Sequence, residues 1–242
     1  MDKLIKKSEL LCNHNVVISN YIVRSAQTLN LVEKRILMAG VAKLGGVNGE
    51  IKLSAKEYAE TYDVDIRTAY NELKSAVGTL MKRTLSWQIT DGKKIGTRTT
   101  IWVQGYDYFK DEGYVKFKFS EYVFPFLFEL EREFTKYQLK QAAALRSIHS
   151  WRLLELFEQM RGNDKNGWLS ISIEEFWHAM EATESYKANF SLLRRKVIEP
   201  AVKELSEKDG WLIEWEARKR GRKVVTLLFK FQRDPQGSLF NG

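Results

Sequence analysis

Apolar residues along this chain switch between helical and strand spacing, and the same succession of spacings is run through twice. Asn30-Leu31-Val32-Glu33 has the form of a capping box, in which the Asn side chain accepts from the third helical N–H and Glu33 reaches back. It predicts a helix through Leu44 with apolar positions at Ile36, Leu37, Ala39, Gly40, Val41 and Leu44, ended by Gly45-Gly46. A short strand at Glu50–Leu53 follows, and Ser54 caps a helix over Ala55–Tyr62. Asp65 caps another, from Ile66 to about Met81, with Ile66, Ala69, Leu73, Ala76, Val77 and Leu80 inward and Arg67, Asn71 and Lys74 outward. Two alternating segments, Thr84–Thr90 and Arg98–Tyr106, flank the turn signal Asp91-Gly92-Lys93-Lys94-Ile95-Gly96. A third strand, Gly113–Phe119, is expected to complete one antiparallel sheet with them. Residues 16–120 therefore read as helices, a helix-turn-helix and a wing whose tip carries Lys93 and Lys94.

The aromatic stretch Glu121–Glu133, interrupted by Pro125, is expected to pack between two halves, and a helix from about Lys136 to Ala144 to lead into the second. There the order repeats. Arg152-Leu153-Leu154 matches Arg35-Ile36-Leu37, and Ser172-Ile173-Glu174-Glu175-Phe176 resembles Ser54-Ala55-Lys56-Glu57-Tyr58. Gly167–Ile173 resembles the strand at Glu50–Leu53, and Ala201-Val202-Lys203-Glu204-Leu205 matches Ala76-Val77-Gly78-Thr79-Leu80. Each match is short, but their shared order across about 120 residues argues for two copies of one module.

The most informative stretch is Tyr186 to Lys223. On a 3.6-residue wheel Phe190, Leu193, Val197, Ala201 and Leu205 fall on one side of a helix with Lys187 near its start. Ser191 and Arg195 point away from that side, and Arg194 and Lys196 lie on its flanks. Pro200 removes a backbone donor inside this helix, and a kink is expected there. Two apolar strands, Trp211–Trp215 and Val224–Phe231, are joined by Arg218-Lys219-Arg220-Gly221-Arg222-Lys223. A helix with one buried face and an outward cationic cluster fits a major groove. A hairpin tipped with Arg218, Lys219, Arg220, Arg222 and Lys223 reaches the adjacent phosphates. The competing interpretation is a solvated amphipathic helix beside a basic hairpin that guards a sheet edge.

Charge favours the first interpretation. From residue 186 to 233 there are 13 Lys or Arg against 6 Asp or Glu, so this segment holds +7 of the chain's formal +8. An excess concentrated in one place suits a surface for a polyanion better than general solubility. Across 242 residues, 44% hydrophobic and 29% charged content describes an ordered chain with material for one large or two small domains. One cysteine, Cys12, leaves no internal disulfide framework and fits a reducing cytoplasm. No apolar run approaches a membrane span, so no membrane association is expected.

The successions Leu29-Asn30-Leu31-Val32-Glu33-Lys34-Arg35, Phe134-Thr135-Lys136-Tyr137-Gln138-Leu139 and Ser150-Trp151-Arg152-Leu153-Leu154-Glu155-Leu156 resemble plasmid replication initiator proteins, the Rep proteins of iteron-containing bacterial plasmids. Arg194-Arg195-Lys196, Pro200-Ala201-Val202-Lys203-Glu204-Leu205 and Arg220-Gly221-Arg222 are similar to that family as well. The resemblance covers about residues 16–233. It implies an α+β chain of two tandem winged-helix domains, related by a pseudo-two-fold duplication, that engage directly repeated origin DNA as a monomer. Arg194, Arg195 and Lys196 would then occupy the base-reading cluster, with Arg67, Asn71 and Lys74 as contacts of the first domain. The family further implies monomers that recruit host replication initiation proteins, and dimers that repress the initiator's own gene. The expected organisation is an arm (1–15), a first domain for dimerisation and DNA contacts (16–130), a second for sequence-specific binding (131–233) and a tail (234–242).

Enzymatic chemistry finds no constellation. His14, His149 and His178 stand apart, with no pairing suited to a metal, and no G-x-x-x-x-G-K-[ST] loop is present. No cofactor, metal or catalytic residue is therefore expected. Trp87, Trp102, Trp211 and Trp215 lie in alternating strands, where core packing outweighs stacking on bases. A winged-helix transcription regulator without a replication role is the alternative function, and a metal-dependent nickase the alternative class.

Overall fold

The structure, a computed structural model, describes residues 10–44, 49–128, 130–161 and 166–234. The Gly45-Gly46 stop, residues 1–9 of the arm and all of the tail beyond residue 234 lie outside the described residues. The chain divides into two compact units, Met1–Ala144 and Leu145–Gly242.

The first unit opens with β1 (Asn15–Ser19) and a short helix α1 (Asn20–Arg24), followed by α2 (Leu31–Ala42). Asn30 and Glu33 form the expected capping box, Asn30 Oδ1 accepting from Glu33 N at 2.9 Å and Glu33 Oε2 accepting from Asn30 N at 2.9 Å. Glu33 does more than cap. Fully buried, it also accepts from Thr79 Oγ1 (2.6 Å) and Arg83 Nε (2.9 Å), tying the start of α2 to the end of a distant helix. That helix is α4 (Ile66–Leu80), which follows β2 (Glu50–Ser54) and α3 (Ala55–Tyr62). Ala69, Leu73, Ala76, Val77 and Leu80 are buried as the wheel requires, but Ile66 is 50% exposed. Standing at the first helical position beyond its cap Asp65, Ile66 lies where the helix has only begun to meet the core.

Four strands follow: β3 (Thr84–Asp91), β4 (Lys94–Ile101), β5 (Val103–Phe109) and β6 (Tyr114–Phe119). They do not make one sheet. β3 and β4 form a two-stranded ribbon, while β6 lies between β2 and β5. The expected strand Arg98–Tyr106 is broken at Trp102, whose fully buried indole donates from Nε1 to Gln27 O at 3.3 Å. Sinking that ring turns the chain out of the ribbon and starts a second sheet. Gly40 marks how tightly α2 rests on this sheet, since a Cβ there would stand 2.6 Å from the Phe117 ring.

Residues 134–138 are a strand, β7 (Phe134–Gln138), and not the start of the expected helix; only α5 (Leu139–Ala143) is helical. Alternation explains the correction, because Thr135 and Tyr137 are buried and pair across β1 beside Val16 and Ile18. The pairing also moves the division between units from the expected 130/131 to 144/145, since residues 134–143 complete the first unit.

The second unit repeats the plan. α6 (Ile148–Met160) is followed by β8 (Asn166–Ser172), α7 (Ile173–Ala179), a helical series through residue 209, and the long strands β9 (Trp211–Arg220) and β10 (Lys223–Arg233). Its sheet order β8-β10-β9 is the counterpart of β2-β6-β5. Ser172 caps α7 through Glu175 just as Ser54 caps α3 through Glu57, each a reciprocal box. Phe157 centres the core, with ring centroids 4.2 Å from Phe231, 5.6 Å from Phe229 and 5.8 Å from Trp211. Arg233 clamps the far end, its Nη2 3.0 Å from buried Glu158 and its guanidinium 4.0 Å from the Trp211 ring centre. Thus two winged-helix units, mixed in helix and strand, follow one another along the chain.

One half-buried group is expected to make this unit sensitive to acid. Burial pushes the His149 imidazole below its usual range, with Glu181 opposing and Arg152 adding to the shift, and its Nδ1 makes no hydrogen bond to a described residue. The unfolded chain takes a proton near the ordinary value of 6.5, before the folded chain does. The stability this histidine contributes is therefore complete above that pH and declines as pH falls below it, until the folded histidine also charges. Melting curves of the chain and of His149→Gln, taken between about pH 7.5 and pH 5, should show the steeper decline in the unsubstituted chain. Parallel declines would refute the assignment.

Candidate nucleic-acid interface

The helical series opposite the wing is built in four pieces. A short helix α8 (Glu184–Ala188) ends at Asn189, whose extended backbone (φ −133°, ψ 95°) breaks the expected single helix from Tyr186. Asn189 Oδ1 then accepts from Leu192 N at 3.1 Å and restarts it as α9 (Phe190–Leu193). A π-helical turn, Arg194–Ile198, comes next, and α10 (Glu199–Asp209) completes the series. The π turn carries the cationic cluster, and Pro200 explains its place. In an α-helix residue 200 would donate to the Lys196 carbonyl, but proline has no N–H and its ring crowds that oxygen. Widening the turn by one residue relieves both, and Glu199 N–H donates to Arg194 O, five residues back. The expected kink is realised as this turn.

Leu193, Val197, Ala201 and Leu205 are buried as the wheel predicts, joined by Ile198, while Phe190 is only half-buried. Ser191, Arg194, Arg195 and Lys196 are exposed together. Arg195 and Lys196 form no ion pair with any described carboxylate. Arg194 does, donating from Nε to Glu199 Oε1 at 2.6 Å. Lys187 sits apart on α8, 2.7 Å from Glu184, so part of its charge is answered within its own helix.

β9 and β10 reach their hairpin at Gly221-Arg222, between the paired Arg220 and Lys223. Gly221 takes φ 62°, a left-handed conformation that a residue without Cβ adopts without strain. Arg218, Lys219, Arg220, Arg222 and Lys223 are all exposed. Arg218 alone of the five has a described ion pair, to Glu216 at 3.2 Å. Between helix and wing lies a groove of about 490 Å³ lined by Ser191, Arg194 and Glu199 on one side and Trp215 and Lys219 on the other. The tryptophans divide by position: Trp102, Trp151 and Trp211 are fully buried, whereas Trp215 reaches this groove.

In the first unit Arg67, Asn71 and Lys74 form an exposed row along α4. Lys93 and Lys94 are exposed at the β3–β4 turn, but that ribbon is not the counterpart of the basic wing. By sheet order the counterpart is β5–β6, whose turn holds Lys110, Asp111, Glu112 and Gly113. The concentrated positive surface is thus a property of the second unit. Glu199 was not expected as a partner of Arg194; its signal in the sequence is Pro200, four residues after Lys196. Among the described residues no three or more His, Cys, Asp or Glu are placed to hold a metal ion, and no helix is long and apolar enough to cross a membrane.

Comparison with known proteins agrees with this architecture. A family model described as initiator replication protein, WH1, matches residues 15–158, and one described as initiator Rep protein, WH2, matches residues 172–231. An uncharacterized 27.6 kDa protein of Escherichia coli is 22% identical over 250 residues, covering 95% of this chain and 98% of its own length. The Pi initiator protein, crystallised in complex with iteron DNA, superposes with a TM-score of 0.78 at 21% identity, over 92% of this chain and 98% of that one. At that identity the likeness is one of fold. With both of its winged-helix units matched in order, the chain belongs to the initiator replication protein family.

Proposed function

We propose that this chain initiates plasmid replication by binding directly repeated origin DNA as a monomer, the second unit reading sequence and the first adding contacts. The observation that carries this reading is the exposed cluster Ser191, Arg194, Arg195 and Lys196 beside the wing cations Lys219, Arg220, Arg222 and Lys223. A helix presenting an arginine fork supplies base readout, and a wing of flexible cations supplies phosphate contacts. Arg67, Asn71 and Lys74 extend the contact from the first unit, with Lys93 and Lys94 as outlying phosphate ligands and Lys187 and Arg218 at the margin. Host replication initiation proteins join the bound monomer, and a dimer formed through the first unit represses the chain's own gene. The protein works in the cytoplasm, catalyses no reaction and needs no cofactor.

Two measurements test the proposal. Titration of the repeats beside the gene against scrambled duplex should show a strong preference for the repeats. A plasmid deleted for its initiator should replicate when the chain is supplied in trans. Binding without rescue would leave a transcription regulator in its place.

The wing makes a separate prediction. Lys223→Ala should weaken binding to repeats and to scrambled duplex alike, and lower the slope of log affinity against log salt by about 0.9, the loss of one phosphate contact. A change confined to the repeats would reassign Lys223 to base reading.

A further inference from the structure

Arg194 and Glu199 are joined twice: Glu199 N–H donates to the Arg194 carbonyl, and Arg194 Nε donates to Glu199 Oε1 at 2.6 Å. In an α-helix two residues five apart stand about 140° from each other and do not meet. The π turn brings them onto one side, and Pro200 is the reason the turn exists there. Both side chains line the groove that faces Trp215 and Lys219 of the wing. The pair is about half exposed, 55% for Arg194 and 42% for Glu199, so it adds little to stability. Its effect is geometric. With Nε engaged, the planar guanidinium is held in orientation, and Nη1 and Nη2 make no hydrogen bond to a described residue. Those are the two donors that reach O6 and N7 of a guanine side by side.

We propose that Glu199 is a positioning residue for base recognition, which through the π turn holds Arg194 as a preset two-pronged donor toward one guanine. This deepens the DNA-reading role argued above and rests on it. Arg195, which has no such partner among the described residues, meets its base by a freer side chain, so the two arginines differ in how sharply they discriminate. Glu199 also places a negative charge in the groove that faces the wing cation Lys219. Removing it should therefore raise affinity for unrelated duplex while lowering preference for the cognate one, a divergence that simple loss of a contact does not produce.

The test is selection from a random duplex library by the full chain, Arg194→Ala, Glu199→Ala, Glu199→Gln and the double variant Arg194→Ala/Glu199→Ala. Arg194→Ala should cut the preference at one base pair by roughly 5- to 150-fold. Glu199→Ala should erode preference at that same base pair by roughly fivefold or more, and add nothing in the Arg194→Ala background. Glu199→Gln, which still accepts from Nε without the charge, should keep most of the preference. An unchanged motif with Glu199→Ala overturns the proposal, as does a loss at a base pair other than Arg194's, which would make Glu199 a base contact itself. If the unsubstituted chain enriches no motif, the DNA-reading role fails and the positioning role with it. Glu199 is half exposed, so its truncation leaves no buried void to confuse the outcome.

Discussion

Arg195→Ala should lower affinity for the origin repeats by about 1–3 kcal/mol, a loss of roughly 5- to 150-fold, and relax the requirement at one base pair. Arg195 stands on the exposed side of the π turn with no described carboxylate beside it, while Val197 and Ile198 anchor the backbone behind it. Its guanidinium is thus unanswered among the described residues and carried on a rigid base. A phosphate contact would cost every sequence the same, whereas a base contact costs the cognate sequence most. Arg195→Lys separates charge from shape, because lysine keeps the charge but loses the fork. It should retain binding to scrambled duplex and recover little of the specificity. Unchanged affinity for the repeats after Arg195→Ala, measured by titration at fixed salt, would take the helix out of the groove.

The largest expected loss of stability lies in the second unit. Phe157→Ala should cost about 3–5 kcal/mol, because the aromatic cluster around it cannot collapse to fill the space. Phe157 is fully buried on α6, stacked on Phe231 and tilted against Trp211 and Phe229. α6 packs on α10, so the same substitution loosens the support of the proposed DNA-reading face. Hydrogen exchange on the full chain distinguishes local from general failure. Amides of β9 and β10 should lose protection while those of β5 and β6 keep theirs, since the two units have separate cores. Equal loss across both would mean that they unfold as one body.

Much of this fold was legible because its signals are local. Asn30 with Glu33, Ser54 with Glu57 and Ser172 with Glu175 are caps made within three residues; the first box and the Ser54 cap form as expected, and Ser172 with Glu175 repeats the second where the sequence shows only the likeness of the two stretches. The buried side of the helical series that carries Arg194–Lys196 followed from periodicity, and the charge excess pointed to its opposite side. What escaped was decided by distant partners. Whether Lys136 starts a helix or sits in a strand depends on β1, more than a hundred residues earlier. Whether β4 continues past Ile101 depends on the buried place found for Trp102. The break at Asn189 and the π turn lay within reach, since Asn is a capping residue and Pro200 denies a carbonyl its donor. A continuous wheel drawn across both hid them, and with them the partnership of Arg194 and Glu199.

The pairing of β1 with β7 also sets the timing of folding. Val16 and Ile18 are completely enclosed only once Thr135 and Tyr137 lie beside them. At roughly 5–20 residues per second, a ribosome needs on the order of ten seconds to make the intervening chain. Through that interval the first strand leaves the exit tunnel with a naked edge and two oily side chains, a natural client for a nascent-chain chaperone. In the second unit β8 waits for β10 across about half as many residues, so its exposure is about half as long.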